Sequence, residues 1–159
     1  MAIDSAEFRR ILGHWASGVA IVTTRTADGR PCGLTANAVS SLSLEPPLVL
    51  ACVEKTSDTH DCILARKSFA VSILDESGER LARLFATADI DRKFDGVAYR
   101  DEASGSPVLD SAIAWVDCAL HNHYDGGDHS IFVGRVLDGN ARDAAPLLYY
   151  RGGYGRFAP

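Results

Sequence analysis

Long apolar segments are absent from this sequence. The longest uninterrupted apolar run covers residues 47–53, whereas a membrane-spanning helix needs about 20 such residues. The first residues also do not predict an export signal, because Asp4 and Glu7 stand where such a signal carries basic residues followed by an apolar core. We therefore expect a cytoplasmic protein that does not enter the membrane.

Basic charge is scarce as well. The chain of 159 residues has 16 Lys and Arg against 21 Asp and Glu, which gives a formal net charge of −5. No cluster of Lys and Arg stands out, and this argues against a nucleic-acid-binding surface. Small ligands that carry phosphate remain compatible with the sequence, since a local loop can bind an anion within an acidic protein.

Closely paired cysteines are missing too. Cys32, Cys52, Cys62 and Cys118 are widely spaced and form no C-x-x-C pair. Four cysteines allow two disulfides in three arrangements. Without an export signal, we expect reduced and mostly buried thiols.

The common catalytic motifs do not occur. There is no P-loop, no G-x-S-x-G elbow and no H-E-x-x-H pair. The glycine-rich residues 151–155 are not followed by a helical pattern, so they fail the context of a dinucleotide-binding loop. A Cys/His nucleophile pair has no local signature here and remains open.

His121 and His123 invite a metal-binding interpretation. Residues two apart on a strand point the same way, so both rings could reach one ion. The surrounding alternation places Cys118 and Leu120 on an apolar face, and Asp117 with both histidines on the opposite, polar face. We therefore favour a surface or interface over a metal site and expect no metal.

Strand patterns dominate what is present. β-branched and apolar runs at residues 19–24, 48–53 and 69–74 predict strands, and residues 125–128 predict the turn of a long hairpin. The predicted helices are a capped segment from Asp4 that stops at Gly18, a segment capped by Ser57 or Asp58 that ends near Arg66, and residues 77–86. A polar connection at residues 87–106 is long enough to carry function.

Strands and helices do not alternate regularly, which argues against a doubly wound parallel sheet. Six or seven strands with two or three helices predict an antiparallel barrel with peripheral helices. We expect a single domain over residues 1–159, because no internal boundary or linker is visible.

Hydroxyl and amide side chains are concentrated in two segments. Residues 34–43 fall in an otherwise apolar strand region, and residues 53–59 lie between a buried strand and a helix. Their polar side chains are Thr35, Asn37, Ser40, Ser41, Ser43, Lys55, Thr56, Ser57 and Thr59. Hydroxyls, backbone N–H groups and a cation at a helix N-terminus suit a phosphate. The alternative is a set of turn residues that only cap a short helix.

These segments together resemble the flavin reductase-like family, whose fold is the FMN-binding split barrel. The resemblance rests on "FRRILGHWASGVAIVTT", "GLTANAVSSLSLEPPLVLACVEKTSDT", "GDHSIFVGRV" and "PLLYYRGGY", in this order along nearly the whole chain. It implies a mainly β fold, an antiparallel Greek-key split barrel with two or three peripheral helices. It also implies an NAD(P)H-dependent flavin reductase that supplies reduced FMN or FAD to a partner monooxygenase.

Carried over residue by residue, the resemblance implies a binding site for flavin and nicotinamide nucleotide. Thr35–Ala38 and Cys52–Glu54 would line the flavin ring, Lys55, Ser57 and Thr59 would hold its ribityl phosphate, and Phe85 with residues 92–94 would close the other side. His129 would contact the nicotinamide nucleotide and is the single candidate catalytic residue. The full set is Thr35, Ala36, Asn37, Ala38, Cys52, Val53, Glu54, Lys55, Ser57, Thr59, Phe85, Lys93, Phe94, Gly127, Asp128, His129, Tyr149, Tyr150 and Arg151.

One position departs from the family pattern. Family members often carry a hydroxyl residue where this chain has Ala38, so one flavin hydrogen bond is missing or comes from the backbone. The choice between FMN and FAD therefore stays open. The choice between NADH and NADPH also stays open, with Arg25, Arg30 and Arg151 as candidates to meet a 2′-phosphate.

The resemblance further implies a homodimer and a separate oxygenase component. Hydride passes between two cofactors, so no acid–base pair is required for that step. From the residues alone, we favour His129 as a polar residue satisfied at the entry of a hairpin, and only the family motif favours a functional role. A flavin carrier or redox sensor without reductase activity is the alternative function.

Overall fold

The computed structural model describes residues 2–87 and 91–159, which form three helices and twelve strands. The helices are α1 (Ser5–Leu12), α2 (Asp58–Arg66) and α3 (Glu79–Phe85). The strands are β1 (Ser17–Gly18), β2 (Ala20–Arg25), β3 (Pro31–Ala36), β4 (Val39–Leu44), β5 (Pro47–Glu54), β6 (Ser68–Ile73), β7 (Tyr99–Asp101), β8 (Pro107–Leu109), β9 (Ala114–Gly126), β10 (His129–Ala141), β11 (Leu147–Tyr150) and β12 (Gly153–Arg156). The predicted number of six or seven strands is too low, because strands of two to four residues are too short to show a period.

Seven strands form the main sheet, in the order β3-β2-β6-β9-β10-β5-β4, and all neighbours are antiparallel. β3 and β4 lie at opposite edges of this order, although only Asn37 and Ala38 separate them in the chain. Three peptide units span at most about 11 Å, so the sheet curls until its edges meet. The predicted antiparallel split barrel with peripheral helices is confirmed. We call the junction of β3 and β4, residues 36–39, the seam.

Helix α1 is shorter than predicted. The Asp4 side chain caps it by accepting a hydrogen bond from the Glu7 N–H at 2.8 Å, as the spacing predicts. The predicted stop at Gly18 is wrong, because the helix ends at Leu12 and Gly18 lies in β1. The Gly13 carbonyl accepts a hydrogen bond from Arg151 N–H at 3.0 Å, which holds the end of α1 against the C-terminal hairpin.

Two clusters of buried side chains make up the core. Phe69 and Phe132 fill the first, together with Ile63 from α2. Phe85 from α3 and Leu109 belong to the second. Each of the two helices is therefore fixed to the barrel by a fully buried side chain.

The predicted polar face of β9 is partly wrong. Asp117 is fully buried and accepts hydrogen bonds from the backbone N–H and the hydroxyl of Ser104. The pairing of β9 with β10 shifts register at Val133/Gly134 and Val136/Asp138. Because a bulge reverses the face on which later residues lie, simple alternation does not hold along this strand.

Other features follow the sequence more closely. The four cysteines are free thiols, with Cys32 and Cys118 buried and Cys52 and Cys62 half-buried. α2, at nine residues, is the longest helix in the described part of the chain, and no helix there has the length and apolarity to cross a membrane. Of the predicted connection 87–106, residues 88–90 lie outside the described residues.

Candidate active site

A cavity of about 420 Å³ lies at the seam. The seam, the end of β5, the first turn of α2, the end of α3 and the start of β10 all contribute to it. Its lining residues are Leu34, Thr35, Ala36, Asn37, Ala38, Cys52, Glu54, Thr56, Ser57, Asp58, Thr59, Phe85, Ala86, Thr87, Lys93 and His129. We call this space the seam cavity.

The wall at the seam is held by α3. The Thr35 hydroxyl donates a hydrogen bond to the Ala82 carbonyl at 2.6 Å, which joins β3 to α3. A Cβ at Gly33 would lie 2.9 Å from the Val22 carbonyl oxygen and 3.3 Å from the Phe85 ring. Only glycine therefore lets Phe85 approach β3 this closely.

Strand β5 forms a second wall through its alternation. Cys52 and Glu54 face the seam cavity, whereas Val53 is fully buried in the core on the opposite face. Burial raises the pKa of the Cys52 thiol. This wall therefore offers a neutral thiol at neutral pH.

The first turn of α2 provides the features of an anion site. Ser57 is the N-cap, as predicted, and its hydroxyl accepts a hydrogen bond from the Thr59 N–H at 3.2 Å. The Cys32 thiol lies 3.8 Å from the Thr59 hydroxyl, which it reaches as a hydrogen-bond donor. Because a hydroxyl that accepts can still donate, Ser57 and Thr59 retain a proton for a ligand oxygen. The helix N-terminus adds partial positive charge.

Lys93 supplies a full positive charge to the same cavity. The residue is 6% exposed, and its ammonium donates a hydrogen bond to the Gly33 carbonyl at 3.1 Å. A buried ammonium interacts strongly with an anion, because little water screens it. Lys93 and the N-terminus of α2 thus line one cavity and together favour a phosphate group.

His129 also lines the seam cavity, at the residue where β10 begins. Its Nδ1 is 2.7 Å from an Asp128 carboxylate oxygen. The hydrogen bond and the charge of the His129 ring hold the pKa of Asp128 below its ordinary value. In the neutral ring this contact places the proton on Nδ1, which leaves Nε2 to meet a ligand.

A family model described as "Flavin reductase like domain" matches residues 12–158. The chain belongs to the flavin reductase-like family. It is 43% identical over 157 residues to the reductase component of 4-nitrophenol 4-monooxygenase/4-nitrocatechol 2-monooxygenase from Rhodococcus opacus, covering 99% of this chain and 83% of that protein. It is 40% identical over 159 residues to a flavin reductase from Pseudomonas putida, covering 99% and 92% of the two chains.

A solved structure of the same family is similar over almost the full length. It is the Streptomyces globisporus NADH:FAD oxidoreductase SgcE6 in complex with NAD and FAD fragments. The TM-score is 0.92 at 40% identity, with coverage of 98% of this chain and 94% of that one. The predicted family membership is therefore confirmed.

Eleven of the residues that the family resemblance implied line the seam cavity, and eight do not. Val53 belongs to the core, and the Lys55 ammonium pairs with Asp125 outside the cavity. Phe94 packs edge-on against the Phe85 ring, with ring centroids 4.9 Å apart, so it supports the wall from behind. Gly127 and Asp128 form the turn before His129, where the Gly127 φ of +82° favours glycine.

The tyrosines near the C-terminus border other surfaces. Tyr149 and Tyr154 line a second cavity of about 220 Å³ that shares Thr35, Asn37 and Ala86 with the seam cavity. Tyr150 and Arg151 lie at the turn between β11 and β12 and line neither cavity.

Five residues line the seam cavity that the sequence did not single out as ligands: Leu34, Thr56, Asp58, Ala86 and Thr87. Thr56 and Asp58 belong to the hydroxyl-rich segment before α2, so that signal already covered them. No sequence pattern pointed to Leu34, Ala86 and Thr87, because they line the site only through the packing of β3 and α3.

The described residues offer little support for nucleophilic or metal chemistry. Burial raises the pKa of the Cys32 and Cys118 thiols to about 12, so both are protonated at neutral pH. His121 and His123 are exposed on β9, and no group of three or more potential metal ligands occurs among residues 2–87 and 91–159.

Proposed function

We propose that this chain is an NAD(P)H:flavin oxidoreductase that reduces FMN or FAD and supplies the reduced flavin to a separate monooxygenase component. The observation that carries the proposal is the seam cavity, which joins a phosphate-suited helix N-terminus to a wall of backbone and amide groups and to His129. The names of the Rhodococcus opacus and Streptomyces globisporus relatives support the same reaction and the same division of labour.

The chemistry of the cavity residues fits a flavin. The first turn of α2 and the buried Lys93 would hold the phosphate, while residues 35–38 and Cys52 would lie along the ring. When bound, the flavin supplies a ring that accepts a hydride from reduced nicotinamide. The residues of the chain bind, orient and shield the reactants, which is where a protein contributes to such a step.

His129 is the proposed contact to the nicotinamide nucleotide. Asp128 holds its Nδ1, so Nε2 can donate or accept according to its protonation. Tyr149, Tyr150 and Arg151 belong to the neighbouring C-terminal hairpin and would border the same nucleotide.

We expect NADH to be preferred over NADPH. Glu54, which pairs with His129 between β5 and β10, lines the cavity, and Asp128 adjoins it, so a 2′-phosphate near His129 would meet negative charge. Arg25 is paired with Asp101, and Arg30 with Asp28 and Asp91, so neither guanidinium is available without breaking an ion pair.

A homodimer is part of the proposal. α1 has no buried residue, and its apolar side chains Phe8, Ile11 and Leu12 are exposed. Trp15, just after the helix, is exposed as well. Leu42 and Leu44 on β4 and Leu137 on β10 are also exposed. Exposed apolar side chains grouped on one element, as on α1, are typical of an interaction site, and a second copy of the chain would cover them. We expect a dimer mass in solution that does not change with salt.

The cytoplasm is the proposed location, because four free thiols suit a reducing compartment.

A steady-state assay tests the proposed reaction. Purified protein is mixed with FMN, FAD or riboflavin, and the consumption of NADH or NADPH is followed by absorbance. We expect NADH consumption with at least one flavin phosphate ester. A flat trace with both nucleotides, in protein that binds flavin, would instead favour a flavin carrier or sensor.

A further inference from the structure

A buried histidine behind the seam cavity has no part in the binding scheme above. His60 in α2 is 8% exposed, and Ser130 in β10 is 4% exposed. The His60 Nε2 lies 2.8 Å from the Ser130 hydroxyl. The His60 ring also packs edge-on against Phe132, with centroids 5.2 Å apart. Both buried polar groups thus have a hydrogen-bond partner, and this bond fixes the position of the two side chains relative to each other.

The position of this pair in the chain relates it to the site. His60 directly follows Thr59, and Ser130 directly follows His129; Thr59 and His129 both line the seam cavity. Successive residues on a strand point to opposite faces, so Ser130 faces the core while His129 faces the cavity. The hydrogen bond thus joins the flavin-holding turn to the nicotinamide-contacting strand from the core side of the sheet.

The same two segments are also linked at the surface. Lys55 N–H donates to the Asp128 carbonyl at 3.0 Å, and the Lys55 ammonium pairs with Asp125. The Asp125 side chain is 79% exposed, and ion pairs in water contribute little. The buried side-chain bond acts beside these backbone contacts, and it holds α2 itself, rather than β5, to β10.

A hydrolytic Ser–His–Asp arrangement is a poor explanation for these residues. Ser130 does not line the cavity and is buried, so a substrate cannot reach its hydroxyl. Asp61, whose carboxylate is 3.1 Å from His60 Nδ1, has a side chain that is 84% exposed and is the next residue in the chain. It is an accessory partner on the surface, unlike the buried carboxylate of a catalytic triad.

We propose that His60 and Ser130 are positioning residues, whose hydrogen bond sets the separation between the first turn of α2 and His129 and so aligns flavin with nicotinamide. This inference rests on the proposed function. Each ligand alone touches mainly one of the two segments, so each should still bind when the bond is lost. The alignment of the two rings should suffer, and a misplacement of about 1 Å can lower a rate roughly 100-fold.

The test compares Ser130→Ala with a matched control, Ser72→Ala. Ser72 is also a fully buried strand serine, and its hydroxyl accepts the Leu109 N–H at 3.1 Å away from the seam cavity. Flavin affinity is measured by fluorescence, thermal stability by circular dichroism, and the rate of flavin reduction by stopped-flow absorbance at saturating NADH. We expect Ser130→Ala to slow reduction about tenfold or more while the flavin Kd changes by less than about threefold. Ser72→Ala should lower the melting temperature without slowing reduction.

Two conservative variants complete the experiment. Ser130→Thr keeps the hydroxyl, and His60→Gln keeps a polar nitrogen near the position of Nε2, so both should retain most of the reduction rate. If Ser130→Ala loses only stability, as Ser72→Ala does, His60 and Ser130 are structural and the proposal is wrong. Wild-type protein that fails to oxidise NADH in the same assay would instead refute the proposed function.

Discussion

Substitution of the N-cap of α2 separates helix capping from phosphate binding. Ser57 is the N-cap, and its hydroxyl accepts the Thr59 N–H at 3.2 Å. Asp and Asn cap helices as well as Ser does, so Ser57→Asp and Ser57→Asn should both keep the fold. Only Ser57→Asp adds a negative charge beside the proposed phosphate position.

The expected loss of FMN affinity in Ser57→Asp follows from the short distance between the N-cap and an anion at the helix N-terminus. Two unit charges about 4 Å apart interact by about 4 kcal/mol at an effective dielectric constant of 20. Ser57 is half-buried, so water reduces this value. A loss of about 1.5–3 kcal/mol then corresponds to a roughly 10- to 150-fold weaker affinity for FMN. Riboflavin lacks the phosphate, so its affinity should change little.

The assay is fluorescence titration of FMN and riboflavin with wild type, Ser57→Asp and Ser57→Asn. The quantity of interest is the ratio of the two dissociation constants, because it cancels any general effect on the flavin ring. The ratio should change in Ser57→Asp alone, and less at high salt. An unchanged ratio in Ser57→Asp, with the melting temperature preserved, would show that the phosphate does not lie at α2.

Three further predictions follow from single contacts. His129→Ala should raise the KM for NADH or lower turnover by roughly 10- to 100-fold while the fold survives, because one hydrogen bond to the nucleotide is lost; unchanged kinetics with both nucleotides would remove His129 from the site. Gly134→Ala should lower the free energy of unfolding by about 1–3 kcal/mol in urea, since its Cβ would lie 2.6 Å from the Phe69 ring; a stability equal to wild type would contradict the close packing. The hydrogen bond from Ser77 holds the pKa of Asp75 below its ordinary value of 3.8. Its stabilising effect is therefore present above the pKa of the unfolded chain and is lost as the pH falls through the lower folded pKa. Asp75→Asn should then show a smaller stability loss than wild type in urea melts taken from pH 5 to pH 3, and parallel curves would refute this.

Matched controls are available for two of these variants. A Cβ at Gly155 would meet no atom within 4 Å, so Gly155→Ala should leave stability nearly unchanged. His121 is exposed on β9 and does not line the seam cavity, so His121→Ala should leave turnover unchanged.

Local signals predicted the parts of the fold that local chemistry determines. The capping spacing of Asp4 and Glu7 and the N-cap at Ser57 are both present, because a cap depends on residues within one turn. The hairpin turn at residues 125–128 is present for the same reason. The continuous apolar run at residues 48–53 also indicated a buried strand, and β5 pairs with β10 and β4 in the interior of the order.

Features that depend on distant partners could not be predicted in this way. The end of α1 depends on the contact of Gly13 with Arg151, which are far apart in sequence. The burial of Asp117 depends on Ser104, which lies in the loop before β8 and donates hydrogen bonds to the Asp117 carboxylate. Phe94 follows Lys93 directly, yet only Lys93 lines the cavity while Phe94 packs behind Phe85.

The seam explains why a stretch of small and polar residues lies at the centre of the candidate site. Asn37 and Ala38 fall between β3 and β4 and belong to neither strand. They are therefore not part of the regular hydrogen-bonded pairing of the main sheet. The Ala38 carbonyl accepts the Cys52 N–H at 2.9 Å, so the backbone there is fixed without any side chain. The backbone at Ala38 is therefore held without the side-chain hydroxyl that the family resemblance led us to expect at this position.

The same reasoning bears on catalysis. A step in which both reacting atoms belong to cofactors requires fixed distances more than it requires an acid or a base. In this chain two walls of the cavity are supported by residues outside it: His60 bonds Ser130, and Phe94 packs against Phe85. Residues that never touch a ligand therefore set the geometry of the site. Substitutions at these supporting positions should affect the rate of flavin reduction more than they affect the affinity for either ligand.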